Sequence, residues 1–322
     1  MKSLLFILAV SFSTLLSAES YDVVIVGGGP AGLTSGLYTS RLGLKTLVAE
    51  GEVPGGQLTT THLVENFPGF VEGIDGNLLV SNMRNQATKY GAEIKSQTVV
   101  GVDFSHYPYE VKLSSGESAK AKSIIIATGS TPRMLGFSSE SSLLGLGVST
   151  CAVCDAPLYR GKEVVVVGGG DSAFEEALML SHFARKVTLL HRSNQFRASP
   201  ILKDRVKQTK NIEIKTFTTV KEILDVQKGF VDGVVVFNTQ TEKEEKIPCD
   251  GVFIAIGQNP NTGWLPKEVS LDEKGMIQSA PRGVYAAGDV VDFQYRQAIT
   301  AAGSGCKAAL DVYQFIQHEE KK

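Results

Sequence analysis

Apolar residues in this chain gather in short β-branched runs, and several of these runs end in glycine. Tyr21-Asp22-Val23-Val24-Ile25-Val26 leads into Gly27-Gly28-Gly29-Pro30-Ala31-Gly32, and a helical pattern follows from Leu33 to Leu42. A continuous apolar run of this length predicts a strand covered on both faces, as in a parallel sheet. A second strand is expected from Lys45 to Ala49, ending at Glu50. The order then returns: a strand from Glu163 to Val167, the turn Gly168-Gly169-Gly170-Asp171-Ser172-Ala173, a helical run from Phe174 to Phe183, and a strand from Lys186 to Leu190. Further strands are expected from Ser123 to Ala127, from Gly251 to Ile256, and from Gly283 into Gly288-Asp289. A long helical pattern closes the chain at Gln317.

Strand, GxGxxG and helix in that order predict a dinucleotide site. Gly27 makes the tight turn, Gly29 lets the backbone approach a pyrophosphate, and Gly32 lets helix pack on strand. The free N–H groups at the helix start favour the anion. Glu50 lies 23 residues after Gly27, where an acid binds ribose hydroxyls. In the second unit the same offset lands on His191, followed by Arg192 and, further on, Arg197. Cations suit a 2′-phosphate that an acid would repel. The first unit therefore reads as an FAD site and the second as an NADPH site. Asp289, at a strand end before a helix, reads as a ligand of the flavin's ribityl side, with a plain N-cap as the rival reading.

Cys151-Ala152-Val153-Cys154-Asp155 supplies the candidate chemistry. One turn can bring two such cysteines within the roughly 4.4–6.8 Å Cα separation of a disulfide. An acid directly after the second thiol could move protons to and from it. A structural zinc wants four ligands, whereas Cys249 and Cys306 stand singly and the 5 histidines are scattered. Redox chemistry is expected, with no metal. Cys249 and Cys306 read as structural, Cys306 as a small buried hydrophobe in the last helix.

Composition adds limits. A chain of 322 residues has room for about two domains. A net charge of -2 gives no electrostatic footprint for nucleic acid. Lys2, an apolar run from Leu4 to Leu16 and then Ser17-Ala18 have the form of a secretory signal. The run is shorter than the roughly 20 residues of a stable membrane anchor. A secretory or extracytoplasmic location is expected, with the cytoplasm as the alternative because NADPH is chiefly intracellular. The expected organisation is α/β: two doubly wound three-layer domains, the second inserted in the first. Residues 1–20 form the signal-like extension, 21–130 and 258–322 the FAD domain, and 131–257 the NADPH domain carrying the CxxC.

Taken together, Gly27–Gly32, Gly55-Gly56-Gln57-Leu58, Glu65-Asn66-Phe67-Pro68-Gly69, Cys151–Asp155, Gly168–Ala173, His191-Arg192 with Phe196-Arg197-Ala198-Ser199, and Gly288-Asp289 with Tyr295-Arg296-Gln297-Ala298 resemble the low-molecular-weight thioredoxin reductases. The resemblance runs from about residue 21 to 316. It implies a homodimer that uses FAD and NADPH to reduce the disulfide of a thioredoxin. It also implies FAD contacts at Gly28, Gly29, Pro30, Ala31, Gln57, Asn66, Val99, Asp289, Arg296, Gln297 and Ala298. NADPH would meet Gly168, Gly170, Asp171, Ser172, His191, Arg192 and Arg197. By the same resemblance Cys154 faces the flavin, Cys151 attacks the thioredoxin disulfide, Asp155 donates the proton, and the inserted domain swings. The family usually carries another arginine where this chain has Ser193, which predicts weaker discrimination against NADH. The rivals are a flavin disulfide reductase with a different partner, a dithiol oxidase lacking NADPH, and a non-catalytic nucleotide-sensing flavoprotein. The intact CxxC, Asp155, Arg192 and Arg197 argue against the last two.

Overall fold

Each glycine-ended strand–helix unit lies in its own sheet. The computed structural model describes residues 18–61 and 63–321. The first sheet contains β1 (Glu19–Val26), β2 (Thr46–Ala49), β3 (Glu93–Lys95), β4 (Val99–Asp103), β5 (Tyr109–Leu113) and β6 (Ser118–Ile126), with the strand Val284–Ala286 arriving from far along the chain. The order is β3-β2-β1-β6-β5-β4, and Val284–Ala286 pairs with the end of β6. β1, β2 and β3 run parallel, while β4 and β5 form an antiparallel flap on β6. Helices α1 (Pro30–Arg41) and α2 (Gly76–Lys89) follow β1 and precede β3.

β7 (Ser130–Pro132) leads out of this sheet. Beyond α3 (Ser138–Leu143), the second sheet collects β8 (Val148–Ser149), β9 (Glu163–Val167), β10 (Lys186–Leu190) and β11 (Ile212–Lys215). The short α4 (Ala152–Asp155) follows β8, α5 (Asp171–Ser181) follows β9, and α6 (Pro200–Gln208) follows β10. An antiparallel sheet of β12 (Thr218–Ile223), β13 (Val234–Asn238) and β14 (Lys243–Ile247) comes next. β15 (Gly251–Ile254) then enters the middle of the second sheet, giving β8-β15-β9-β10-β11, all parallel. β16 (Gln258–Pro260) pairs antiparallel with β7. The chain ends in a 3-10 turn, Gly288–Val290, and α7 (Ala298–Glu319). No helix among the described residues is long and apolar enough to cross a membrane.

The apolar runs became buried strands because both faces of each sheet are covered: Val23, Val24, Ile25, Val165, Val166 and Val252 have no exposed surface. Element ends differ from expectation where polar residues pair. Glu19 and Ser20, expected in the extension, lie in β1 beside Ala119 and Lys120, and Glu19 ion-pairs with Lys45. The strand expected at Ser123–Ala127 begins at Ser118, because its first half alternates buried and exposed residues rather than reading as an apolar run. Residues 1–17, most of the signal-like extension, lie outside the described residues.

Candidate active site

The turn after β1 shows why its glycines are where they are. Gly27 has φ +115°, and a Cβ there would stand 2.2 Å from the Ala127 carbonyl oxygen. A Cβ on Gly32 would come within 1.9 Å of the Gly27 carbonyl oxygen. A Cβ on Gly28 would stand 2.7 Å from the Glu50 Cβ. Gly29 meets nothing within 4 Å, caps α1 without a side chain and precedes Pro30. The open side of the turn thus exposes the uncapped helix start, where an anion is favoured.

Glu50 lies beside it with its side chain fully buried. Its Oε2 accepts from the Ser96 hydroxyl at 3.0 Å and pairs with Arg84 at 3.3 Å. Its Oε1 has no hydrogen-bond partner among the described residues, and neither does the buried Gln97 Oε1. The Gly51 N–H donates to the Gln97 carbonyl at 3.0 Å, so the backbone segments carrying the two orphan acceptors lie side by side. Buried acceptors are costly unless a donor meets them, and a ribose with adjacent hydroxyls supplies such donors. Ser96, Arg84 and Gln97 carry no motif in the sequence. Val99, two residues past Gln97, puts its side chain into the core of the first sheet.

The far end of the same cradle depends on close helix packing. A Cβ on Gly305 would lie 2.2 Å from the Ala31 carbonyl oxygen, and Ser35 Oγ donates to the Gly305 carbonyl at 3.0 Å. Small residues therefore let α7 lie directly on α1, which sets Asp289 beside the Gly27–Gly32 turn. Asp289 belongs to the 3-10 turn and Gln297 is the N-cap of α7, so the plain N-cap reading of Asp289 is corrected. Burial pushes the Asp289 carboxyl up to about 6; the Asp292 charge adds, while Arg296 and a Ser130 hydrogen bond oppose. Arg296 sits at φ +48° with its buried Nε unpartnered among the described residues, its guanidinium 4.8 Å over the Phe293 ring. Gln57 donates to the Ser130 carbonyl at 2.6 Å. Ala298 opens α7.

The second turn repeats the logic with a different partner. A Cβ on Gly168 would meet the Ala255 carbonyl oxygen at 2.4 Å, and one on Gly169 would enter the His191 ring at 2.2 Å. Gly170 is open and caps α5 without a side chain. Asp171 accepts from the Ser199 N–H at 2.6 Å, so it ties down the loop after β10, and Ser172 is exposed in the first turn of α5. The His191 ring lies 4.8 Å from Phe196, and its Nε2 is 3.2 Å from the Ser193 hydroxyl. Arg197 donates its N–H to the Gly169 carbonyl at 2.8 Å. The Arg192 and Arg197 side chains are exposed, and among the described residues neither pairs with a carboxylate. These free cations beside an open helix start fit a phosphorylated ribose.

Cys151 and Cys154 are joined in a disulfide, with Sγ–Sγ 2.11 Å and Cα–Cα 5.3 Å. Cys151 caps α4, and the Cys154 N–H donates to its Sγ at 3.2 Å. The Cys151 N–H donates to Ser149 Oγ at 3.1 Å. Burial raises the Asp155 carboxyl, a hydrogen bond with Ser149 opposes, and the Glu65 charge adds. Asn66 Nδ2 donates to Gln297 Oε1 at 3.2 Å, and Gln297 Nε2 lies 4.0 Å from Cys151 Sγ. The disulfide therefore sits at the α7 N-terminus, next to the residues of the first cradle. Ser149 escaped the sequence reading, and Glu65 was read only as part of a motif, with no role of its own. Cys249 is buried with its thiol pushed up to about 12, chiefly by burial. Cys306 is only half-buried and hydrogen-bonds the Tyr38 hydroxyl, which corrects its reading as a plain buried hydrophobe.

Comparison with known proteins agrees with this geometry. The family model described as pyridine nucleotide-disulphide oxidoreductase matches residues 21–305. A thioredoxin reductase of Rickettsia felis is 45% identical over 302 residues, covering 91% of this chain and 97% of the relative. The crystal structure of thioredoxin reductase from Streptococcus pyogenes superposes with TM-score 0.88 at 37% identity, covering 94% of this chain and 100% of that one. The Lactococcus lactis thioredoxin reductase, described as in the FR conformation, shares 37% identity over 92% of this chain and 99% of that one, with TM-score 0.62.

Proposed function

The chain belongs to the pyridine nucleotide-disulphide oxidoreductase family, and from that premise we propose that it is an NADPH-dependent thioredoxin-disulfide reductase. Electrons would pass from NADPH through FAD to the Cys151–Cys154 disulfide and on to the disulfide of a thioredoxin. The observation that carries this reading is the disulfide at the α7 N-terminus, 4.0 Å from Gln297 and flanked by Asn66, in a chain with two nucleotide cradles. Bound FAD and NADPH supply the hydride transfer and the delivery of electrons to sulfur. The protein's part is binding, orientation and protons. Gly29 and Gly170 leave room for the two pyrophosphates, Glu50 Oε1 would accept from the FAD ribose, and Arg192 and Arg197 would clamp the 2′-phosphate of NADPH. When the S–S bond opens, Asp155, whose carboxyl is raised above its ordinary range by burial, protonates the thiolate of Cys154. The Cys151 thiolate attacks the partner's disulfide, and Cys154 resolves the mixed disulfide.

Two relatives of equal identity that superpose at TM-scores 0.88 and 0.62 support a rearrangement of the two sheets during turnover. A homodimer and an extracytoplasmic location remain parts of the proposal; the second rests on residues 1–20 and is tested by N-terminal sequencing of the mature protein. The function itself is tested with a coupled thioredoxin and disulfide-dye assay. Cys154→Ser should abolish thioredoxin reduction while NADPH still bleaches the flavin. Retained turnover in that variant would refute the relay.

A further inference from the structure

Glu176 is a buried carboxyl to which the relay gives no task. It stands three residues after Ala173 and four before Leu180, so helix geometry turns it to their face of α5. Ala173, Ala177 and Leu180 have no exposed surface, and Ala152 and Ala156 of the α4 segment share their apolar cluster. Glu176 thus shares the face of α5 that packs against the segment carrying Cys154 and Asp155, and it feels the Asp155 charge. Its Oε2 is buried with no hydrogen-bond partner among the described residues. An unpaired buried carboxylate is costly, so the protonated form is favoured.

Burial pushes Glu176 up to about 8, and the charges of Asp155 and then Glu175 add in the same direction. Elements packed elsewhere on α5 turn their charges outward. Glu163 pairs with Arg185 and Lys186 with Glu213, Asp204, Arg205 and Lys207 of α6 are exposed, and the half-buried Lys203 of α6 donates to the Phe196 carbonyl at 3.4 Å. Tyr159, just past α4, is kept protonated by burial and the Asp155 charge. On its other side Asp155 meets Ser149 and Glu65.

We propose that Glu176 is a positioning residue for the thiol chemistry that acts through Asp155. While it keeps its proton, Glu176 adds no charge beneath the disulfide. Once it ionises, the added charge makes Asp155 and the dithiol hold their protons more tightly. Thiol–disulfide exchange needs a thiolate, so Glu176 sets an alkaline limit on the reaction. The inference rests on the reading of Cys151, Cys154 and Asp155 as redox pair and acid, and not on which protein is reduced.

The test uses the full chain, reduced with dithiothreitol, freed of reductant and alkylated with iodoacetamide between about pH 6 and pH 10. It needs neither NADPH nor a thioredoxin. The parent's rate should climb as thiolate forms and then lag above about pH 8. Glu176→Gln, similar in shape and always neutral, should climb without the lag and react several-fold faster at the alkaline end. Superimposable profiles would overturn the proposal. A second arm is infrared titration of the oxidised protein, in which Asp155→Asn should let Glu176 lose its proton at lower pH. A titration that does not move would overturn it equally. Failure of the functional reading looks different: thioredoxin reduction would be absent while both of these results stood.

Discussion

Gly29 and Gly32 sit three residues apart in one turn, yet a methyl group on each should have opposite consequences. At Gly29 the space is empty and φ is -76°. Gly29→Ala should fold normally and lose FAD, read as a lower flavin-to-protein ratio. At Gly32 the methyl would meet a backbone oxygen at 1.9 Å, which cannot move aside cheaply. Gly32→Ala should yield little folded protein. Glu50→Gln should weaken FAD retention by about tenfold to a hundredfold, since a hydrogen bond to a charged acceptor is worth roughly 1.5–3 kcal/mol. In the second cradle, Arg192→Ala should raise the KM for NADPH about tenfold and leave that for NADH nearly unchanged, because only NADPH carries the phosphate to be clamped. Equal effects would remove the clamp. Glu176 brings a pH signature of its own. Its folded pKa of about 8 lies above the ordinary value of 4.5, so its contribution to stability is full below the unfolded value and is lost as pH rises through about 8. Glu176→Gln should therefore raise the melting temperature more at about pH 9 than at about pH 5. Residues that act through backbone geometry, such as Gly27 or Gly32, were legible in the sequence. Arg84, Ser96 and Gln97 were not, because they reach Glu50 from a helix and a loop before β4 that no local pattern links to it.

At the scale of elements, the two strand–turn–helix units were legible because an apolar run ending in glycine has few other structural meanings. Boundaries were less so. β6 begins five residues before its apolar run, since its first half is covered on one face only. The α1–α7 contact was invisible too, although it assembles the first cradle. It depends on Ala31, Ser35 and Gly305, which as small residues inside helical patterns give no signal of what they touch. Gly305→Leu should force the helices apart, at a cost at or above the roughly 1–3 kcal/mol typical of overpacking. The loss should appear both as a lower urea midpoint and as lost flavin, because Asp289 and Arg296 move with α7. A variant that kept its flavin would show that the cradle does not depend on this contact.

For the whole molecule, one disulfide stands between two nucleotide cradles. The CxxC and the two glycine turns with their partner positions Glu50 and His191 could be read from spacing, whereas the position of the disulfide beside Asn66 and Gln297 could not, since it depends on how residues far apart in sequence meet. Anaerobic titration of the purified yellow protein with NADPH tests this joining most directly. If FAD and the Cys151–Cys154 disulfide are both filled from NADPH, complete bleaching should need about two equivalents per flavin, falling to about one in Cys154→Ser. A subsequent addition of oxidised thioredoxin should restore the yellow colour in the parent alone. A flavin that stays oxidised under NADPH, or equal uptake in parent and variant, would contradict the account.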